Sequence, residues 1–409
     1  MNVFKEIPPT AGFPFYAKDF LSLYKKQSYG NSLEDDFKRY LGGSYVKITS
    51  SGTAGLYLIL EGLKEISCKK TVIIPAYTCP SVALAILRAG LKIEACDINS
   101  HNFNFNYQDL RAICQKNNDI LAIIPAYLGG MPLEFDILKK IAGEHEIFII
   151  EDCAQALGAT YKGMKVGTLG DFAFFSLARG KGLTIYEGGA IAINNKEYFS
   201  IFNKKLEELV KSDFFSESLK FLELLGYFVF YRPCLFWFVY RLPEIFWNLQ
   251  GRHLKAISEY FSLDFPVHKV SKIRRFIGHL GFRRLEEEID KQREKAFLYM
   301  EGLREIKGVN VIKESPDSRA TYPFLTLIFD DPDRRQKILK ILGNSGLGVS
   351  ELYTLPISDY AYLSQEFSNK HLLGAHYLAK RQLILSTSIF LGKKDIGRIL
   401  DILSSSLRC

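Results

Sequence analysis

The sequence predicts an α/β protein: a mostly parallel, doubly wound sheet in a large domain, followed by a smaller C-terminal α+β domain. Two observations carry the large domain. Between about Tyr45 and Asn194, short β-branched or aromatic runs alternate with longer amphipathic stretches, the pattern of strands joined by crossover helices. Several of the runs are apolar at every position, as strands covered on both faces must be. A third observation marks the second domain: near Lys272 the pattern changes to a long charged helix followed by shorter, glycine-punctuated elements.

In chain order the strand candidates are YVKIT (45–49), TVIIP (71–75), LKIEA (91–95), ILAIIP (120–125), IFIIE (147–151), FAFFS (172–176) and AIAIN (190–194). Helices are expected between them, as at 53–65 and 79–90. Beyond Lys272, residues 283–306 have the charge and apolar spacing of a long exposed helix, with Leu285, Ile289, Ala296 and Met300 as its stripe. A strand at 322–329, a helix at about 333–343, a strand at 346–353 and a final helix from about Lys394 complete this region. The expected division is 1–270 and 271–409, with an aromatic insertion at about 213–262.

Within that insertion, thirteen of the thirty-four residues 214–247 are aromatic, and both tryptophans fall there. A transmembrane helix needs about 20 apolar residues. Arg232 and Pro233 interrupt this run, and Arg241 with Pro243 closes it, so a span is disfavoured. The plain reading is an apolar lid or a subunit-interface element. The other is a segment lying in a membrane interface, where Trp, Tyr and Arg suit the headgroup level.

Composition bounds the function. With 47% hydrophobic and 24% charged residues, the chain is neither disordered nor collagen-like. Fifty-three basic against forty-five acidic side chains give +8, too diffuse an excess to indicate a nucleic-acid partner. The seven cysteines, at 68, 79, 96, 114, 153, 234 and 409, form no CxxC pair, so neither a disulfide framework nor a metal site is expected. MNVFKEIPPTAGFPF has no basic and apolar leader pattern, so the expected location is cytoplasmic, peripheral to the inner face of the membrane if the aromatic segment docks there.

Ser50, Ser51, Gly52, Thr53 and Ala54 follow the first strand of the large domain and open a helix. A helix N-terminus offers unpaired N–H groups and partial positive charge, which suits a phosphate; Ser and Thr are equally ordinary helix caps. Asp152 ends the apolar strand IFIIE, at the carboxyl edge where such sheets bind ligands. A cap or a core carboxylate would look the same. Gln155 lies one helical turn on. Lys181 follows the strand FAFFS in a loop with Arg179 and Gly180, before Glu187, Gly188 and Gly189. An amine, a strand-end carboxylate and an anion cradle are together what a pyridoxal phosphate site requires.

The runs SGTAGL, VIIPAYT, CDINSHNFNF, IIEDCAQALGA and FFSLARGKGLTIYEGGA, in this order across most of 45–195, resemble the DegT/DnrJ/EryC1/StrS family. SKIRRFIGHLGFRRLEEEIDKQREKA looks like that family's dimer-side helix. The resemblance implies a fold-type-I, pyridoxal 5'-phosphate-dependent aminotransferase acting on a keto-sugar, mainly nucleotide-linked, in surface-polysaccharide, lipopolysaccharide or secondary-metabolite biosynthesis. It also implies a homodimer and an amino-acid donor, glutamate or glutamine. By the same resemblance Lys181 carries the cofactor as an imine, Asp152 pairs with its pyridine nitrogen and Gln155 contacts the ring or its hydroxyl. Ser176, Gly52 and Thr53 would bind its phosphate.

Departures accompany the match. Cys79 stands where the family stacks an aromatic ring, with Tyr77 two residues before. Tyr127, Leu128, Gly129 and Gly130 replace an H-L-Y-G motif, Val267, His268 and Lys269 replace N-Y-R, and Leu352, beside Tyr353, replaces a histidine. Two competing readings follow. A cofactor-dependent sugar dehydratase would replace the lysine with histidine, which Lys181 opposes. A non-catalytic regulatory or scaffold protein would fit the altered substrate positions.

Overall fold

The structure, a computed structural model, describes residues 4–24, 32–257, 259–363, 366–367 and 372–408. The large domain is organised by β1 (Tyr45–Thr49), β2 (Thr71–Pro75), β3 (Lys92–Cys96), β4 (Ile120–Ile123) and β5 (Phe148–Asp152). Two short strands, β6 (Thr160–Tyr161) and β7 (Met164–Lys165), precede β8 (Phe172–Ser176) and β9 (Gly189–Ile193). The sheet order is β1-β9-β8-β5-β4-β2-β3. β2 pairs in parallel with β3 and β4, β4 with β5, and β5 with β8. Only β9 runs against its neighbours, β1 and β8. β2, β4 and β9 are buried at every position, which their unbroken apolar sequences anticipate.

The helices begin where the sequence supplies caps. The Ser51 hydroxyl accepts the Ala54 N–H at 3.0 Å and starts the helix Gly52–Leu63. Pro80 takes the first position of Pro80–Arg88, where its missing N–H costs nothing. In the smaller domain β10 (Val309–Val311), β12 (Phe324–Phe329), β13 (Val349–Ser350) and β14 (Gln382–Ser386) form an antiparallel sheet ordered β10-β12-β14-β13, flanked by Pro332–Gly343, Leu373–Arg381 and Lys393–Arg408. β11 (Ser318–Arg319) leaves that domain to pair with β6, tying the two together. Asp97 does the same: its carboxylate accepts the Gly374 and Ala375 N–H groups at 2.8 and 2.9 Å, capping Leu373–Arg381 from the large domain.

One expectation is corrected. The strand expected over 346–353 shrinks to β13 because Gly346 and Gly348 both adopt positive φ, 70° and 71°, and turn the chain. The N-terminal residues also reach the smaller domain: the Ile7 N–H donates to the Gly346 carbonyl at 3.0 Å, and Ala11 to Pro323 at 2.7 Å.

The aromatic insertion folds as four helices, Phe214–Phe230, Pro233–Val239, Arg241–Leu249 and His253–Ala256. Among the described residues no helix is long and apolar enough to cross a membrane. Asp213 caps the first helix by accepting the Ser216 N–H at 2.9 Å, and Pro233 starts the second. The insertion is fixed from its inner side. Glu217 is buried against the fully buried Arg274, accepting its Nε–H at 3.0 Å and the Ser271 N–H at 2.6 Å. Tyr227 and Tyr231 stack at 4.4 Å between centroids and bond the N-terminal segment: the Tyr227 hydroxyl donates to the Phe13 carbonyl at 3.2 Å, and the Tyr231 hydroxyl accepts the Gly12 N–H at 2.8 Å. The outer side is left apolar and open, with Phe214 88%, Phe215 80%, Leu222 61% and Leu249 83% exposed. The basic run after it divides: Lys269 and Lys272 are exposed, Arg274 is internal, and Arg275 pairs with Glu34 at 2.9 Å.

Candidate active site

The carboxyl ends of β5 and β8 lie side by side, and the start of the helix Gly52–Leu63 meets β8 there. A Cβ on Gly52 would stand 3.3 Å from the Phe175 carbonyl oxygen and 3.3 Å from the Ser176 Cβ. Only glycine lets the helix start so close to the strand end. Gly189 backs the same turn, for a Cβ there would stand 2.6 Å from the Gly52 nitrogen. The Ala54 N–H is used by Ser51 and the Gly55 N–H by the Ser51 carbonyl. The N–H groups of Gly52 and Thr53 have no acceptor among the described residues. Two free donors at a helix N-terminus, beside the Ser176 hydroxyl, form an anion cradle.

Asp152 ends β5 with its side chain buried. One carboxylate oxygen accepts the Ala154 N–H at 3.0 Å. Burial raises its pKa to about 6, against the opposing pull of that hydrogen bond and of Lys181. At neutral pH it is an anion awaiting a cationic partner. Lys181 lies in the loop between β8 and β9, whose main chain is tied to the N-terminal segment. The Phe13 N–H donates to the Lys181 carbonyl at 3.1 Å, and the Thr10 hydroxyl to the Gly180 carbonyl at 3.0 Å. Burial lowers the Lys181 pKa, with Cys79 and Asp152 opposing. A depressed amine is more often neutral, which a nucleophile or proton carrier needs.

Gln155 lies in a turn, not one turn along a helix as its spacing predicts. Its side-chain oxygen accepts the Gly129 N–H at 2.8 Å, and its Nε2 donates to the Tyr353 hydroxyl at 3.3 Å. The Tyr127 to Gly130 segment thus supports the site from behind, with Gly129 at φ 63°. The Tyr127 hydroxyl donates to Glu151 at 2.8 Å, and Glu151 also accepts the N–H groups of Gly167, Leu169 and Gly170. Glu151 is therefore a fully bonded structural carboxylate beside Asp152.

Tyr353 is the residue that sequence reasoning passed over. It is 9% exposed, bonds Gln155, faces Cys79 and Asp152 electrostatically, and is braced by the Tyr77 hydroxyl, which donates to the Tyr353 carbonyl at 2.8 Å. Its neighbour Leu352 is part-buried against the core, and its N–H donates to Gln382 at 3.0 Å. Cys79, at the start of Pro80–Arg88, is part-buried, and desolvation raises its thiol pKa. It presents a small protonated sulfur where a ring was expected. His268 turns inward, with its Nδ1 3.3 Å from Glu217.

A strand-end carboxylate, a part-buried amine with lowered pKa and an anion cradle on one edge of a mostly parallel sheet define a pyridoxal-phosphate-dependent, fold-type-I aminotransferase. The comparisons with known proteins give the same class. The model of the DegT/DnrJ/EryC1/StrS aminotransferase family matches residues 21–209 and 267–404, and the chain belongs to that family. The stretch it skips is the aromatic insertion. The chain is 28% identical over 381 residues to the UDP-4-amino-4,6-dideoxy-N-acetyl-beta-L-altrosamine transaminase of Campylobacter jejuni serotype O:23/36, covering 92% of this chain and 89% of that protein. It is 25% identical over 315 residues to GDP-perosamine synthase of Escherichia coli O157:H7, covering 76% of this chain and 73% of that protein. Helicobacter pylori PseC, an aminotransferase involved in the biosynthesis of pseudoaminic acid, superposes with a TM-score of 0.75 at 18% identity, covering 99% of this chain and 100% of that one. The protein is a sugar aminotransferase whose cofactor is pyridoxal 5'-phosphate.

Proposed function

We propose that this chain moves an amino group from glutamate or glutamine to a keto-sugar on a diphosphate-linked carrier, as a homodimer, in the assembly of a surface polysaccharide. The relatives' names point to nucleotide-linked acceptors, which are the first to assay. The observation that carries the reading is the convergence of Asp152, at the end of β5, and Lys181, in the loop after β8, where each biases the charge of the other, beside the cradle of Gly52, Thr53 and Ser176.

When bound, pyridoxal phosphate supplies an electron sink that stabilises negative charge at the carbon losing its proton. Gly52 and Thr53 donate their free N–H groups, and Ser176 its hydroxyl, to the phosphate. Asp152 holds a protonated ring nitrogen by charge, which is why an anion is kept there despite the cost of burial. Gln155, fixed by Gly129 and Tyr353, contacts the ring edge. The Lys181 amine would hold the cofactor and, with its pKa lowered, would take a proton from the donor carbon and return one as an acid, and would do the same in reverse for the acceptor. Replacing Lys181 with Ala abolishes amino transfer from any donor; near-native turnover in that variant would mean the amine is misassigned.

The same reading includes peripheral contact of 214–247 with an anionic membrane. Exposed charges over 211–272 favour it: Lys211, Arg232, Arg252, Lys255, Lys269 and Lys272 face solvent against only Asp213 and Asp264. A second copy seated on this face would bring like charges together about its two-fold axis. Flotation with phosphatidylglycerol-containing vesicles at low salt tests the contact. Binding that deletion of 214–247 removes supports it; a protein that ignores those vesicles refutes it.

A further inference from the structure

The helices of the insertion, with Pro8 to Thr10 of the N-terminal segment, border a cavity of about 720 Å³ that is also lined by Arg179 and Gly180, the two residues before Lys181. Its walls are ring faces, among them Tyr186, Tyr227, Tyr231, Phe236, Tyr240 and Trp247. The hydroxyls of Tyr227 and Tyr231 are spent on the N-terminal main chain, so those residues offer the cavity their apolar parts. Among the described residues no Asn or Gln lines it; its polar side chains besides the tyrosines and the two cations, Arg179 and Lys255, are Thr10, Glu223 and Glu244.

The charges are unevenly matched. Glu223 is paired with Lys220 at 2.9 Å and Glu244 with Arg241 at 2.8 Å. Arg179 and Lys255 have no carboxylate partner among the described residues; Arg179 reaches the Tyr186 hydroxyl at 3.5 Å, and Lys255 lies 5.5 Å over the Trp247 ring. An apolar cavity with two uncommitted cations suits an anion on an apolar tail. Its lining includes Phe230 and Val239, 37% and 47% exposed, so the cavity opens toward solvent on the insertion. The same insertion carries the exposed Leu222, Leu242 and Phe246, which would meet a membrane. The inner wall of the cavity carries Tyr186, held at a φ of 73° and packed edge-on to Tyr227 at 6.3 Å. A bulky side chain in that conformation is strained, and strain of this kind gathers at ligand sites.

We propose that this cavity binds a prenyl diphosphate, the carrier end of a lipid-linked keto-sugar acceptor. The chain lies along the ring faces and leaves past Phe230 and Val239, and the diphosphate is held by Arg179 and Lys255. A nucleoside diphosphate shares the diphosphate, but its base finds no side-chain amide here to read it. The proposal rests on the amino-transfer reading for its purpose beside Lys181, although binding itself can be measured without turnover.

Trp247 lines the cavity and the other tryptophan, Trp237, does not. Trp237→Phe in the full-length, cofactor-loaded protein therefore leaves a single reporter. Its emission is followed while farnesyl diphosphate, farnesol, UDP, GDP or inorganic diphosphate is added below micelle-forming concentrations. Farnesyl diphosphate is expected to change the signal saturably, and Lys255→Ala to weaken it about tenfold, the loss of one charge-assisted contact. Gly226 lines the cavity and a Cβ there meets nothing within 4 Å, so Gly226→Leu fills the space without disturbing the helix and abolishes the change. UDP or GDP binding in preference to farnesyl diphosphate overturns the proposal. So does farnesol binding as well as its diphosphate with no effect of Lys255→Ala, or no saturable change at all. Glutamate-driven bleaching of the cofactor, recorded in the same variants, tests amino transfer separately and is expected to be unchanged by Lys255→Ala and Gly226→Leu.

Discussion

The side-chain amide of Gln155 donates to the hydroxyl of Tyr353 at 3.3 Å, so a residue of the smaller domain closes the site that the larger domain builds. Tyr353→Phe removes that acceptor and leaves the Gln155 Nε2 without it. We expect a stability loss of about 1 kcal/mol and a fall of about fivefold to tenfold in kcat/KM. Urea unfolding and steady-state kinetics measure the two; unchanged kinetics with lowered stability would make Tyr353 a packing residue only.

Asp152 gives a pH prediction with a definite sign. Its pKa in the folded protein, about 6, lies above the ordinary aspartate value, so the folded protein binds this proton more tightly than the unfolded chain does. The buried charge therefore costs the cofactor-free protein stability at pH 7, a cost relieved as pH falls through about 6. Asp152→Asn should stabilise the cofactor-free protein at pH 7 by about 2 kcal/mol and lose that advantage near pH 4. The same variant should lower amino transfer by at least about a hundredfold. Denaturant titrations at the two pH values, with activity alongside, decide both.

Gly52→Ala sets a methyl group 3.3 Å from the Phe175 carbonyl oxygen and the Ser176 Cβ. Helix and strand end must part by a few tenths of an ångström, which shifts the free N–H groups. The expected result is about tenfold weaker retention of pyridoxal phosphate with a small stability cost of about 1 kcal/mol. Dialysis followed by reloading at graded cofactor concentrations reads it. Wild-type affinity would remove Gly52 from the cradle.

Arg274 holds the insertion onto the body of the protein through Glu217. Arg274→Ala leaves that buried carboxylate without its guanidinium, with only the Ser271 N–H and His268 beside it, a loss of about 3 kcal/mol. Arg274→Lys should recover little, because one ammonium cannot reproduce two parallel guanidinium bonds. Limited proteolysis should then cut first within 214–256. Cleavage elsewhere at wild-type rates would show that the stacked pair Tyr227 and Tyr231 holds the insertion alone.

Much of this fold is legible in the residues themselves. Thr71–Pro75 and Phe172–Ser176 are apolar enough to fix both strand limits, whereas Lys92–Cys96 and Phe148–Asp152 shift by one residue because hydrophobicity does not mark where pairing stops. The sequence 346–353 misleads because β-branched Val349 sits among glycines that turn the chain against the N-terminal segment. Lys181, Asp152, Ser176 and Gly52 stand within motifs dense enough for the family resemblance to single them out. Tyr353 does not: it reaches Gln155 from a domain whose placement no local pattern specifies. Arg274 is hidden for a related reason, since a basic run gives no sign that one member is buried against a glutamate fifty-seven residues away.

The most direct measurement is the visible absorption spectrum of the purified, cofactor-loaded protein before and after glutamate, repeated with Lys181→Ala. A yellow protein that glutamate bleaches, with no bleaching in the variant, is the predicted result for amino transfer through Lys181. A protein that stays colourless when pyridoxal phosphate is added, or a variant that bleaches as fast as the parent, would contradict it.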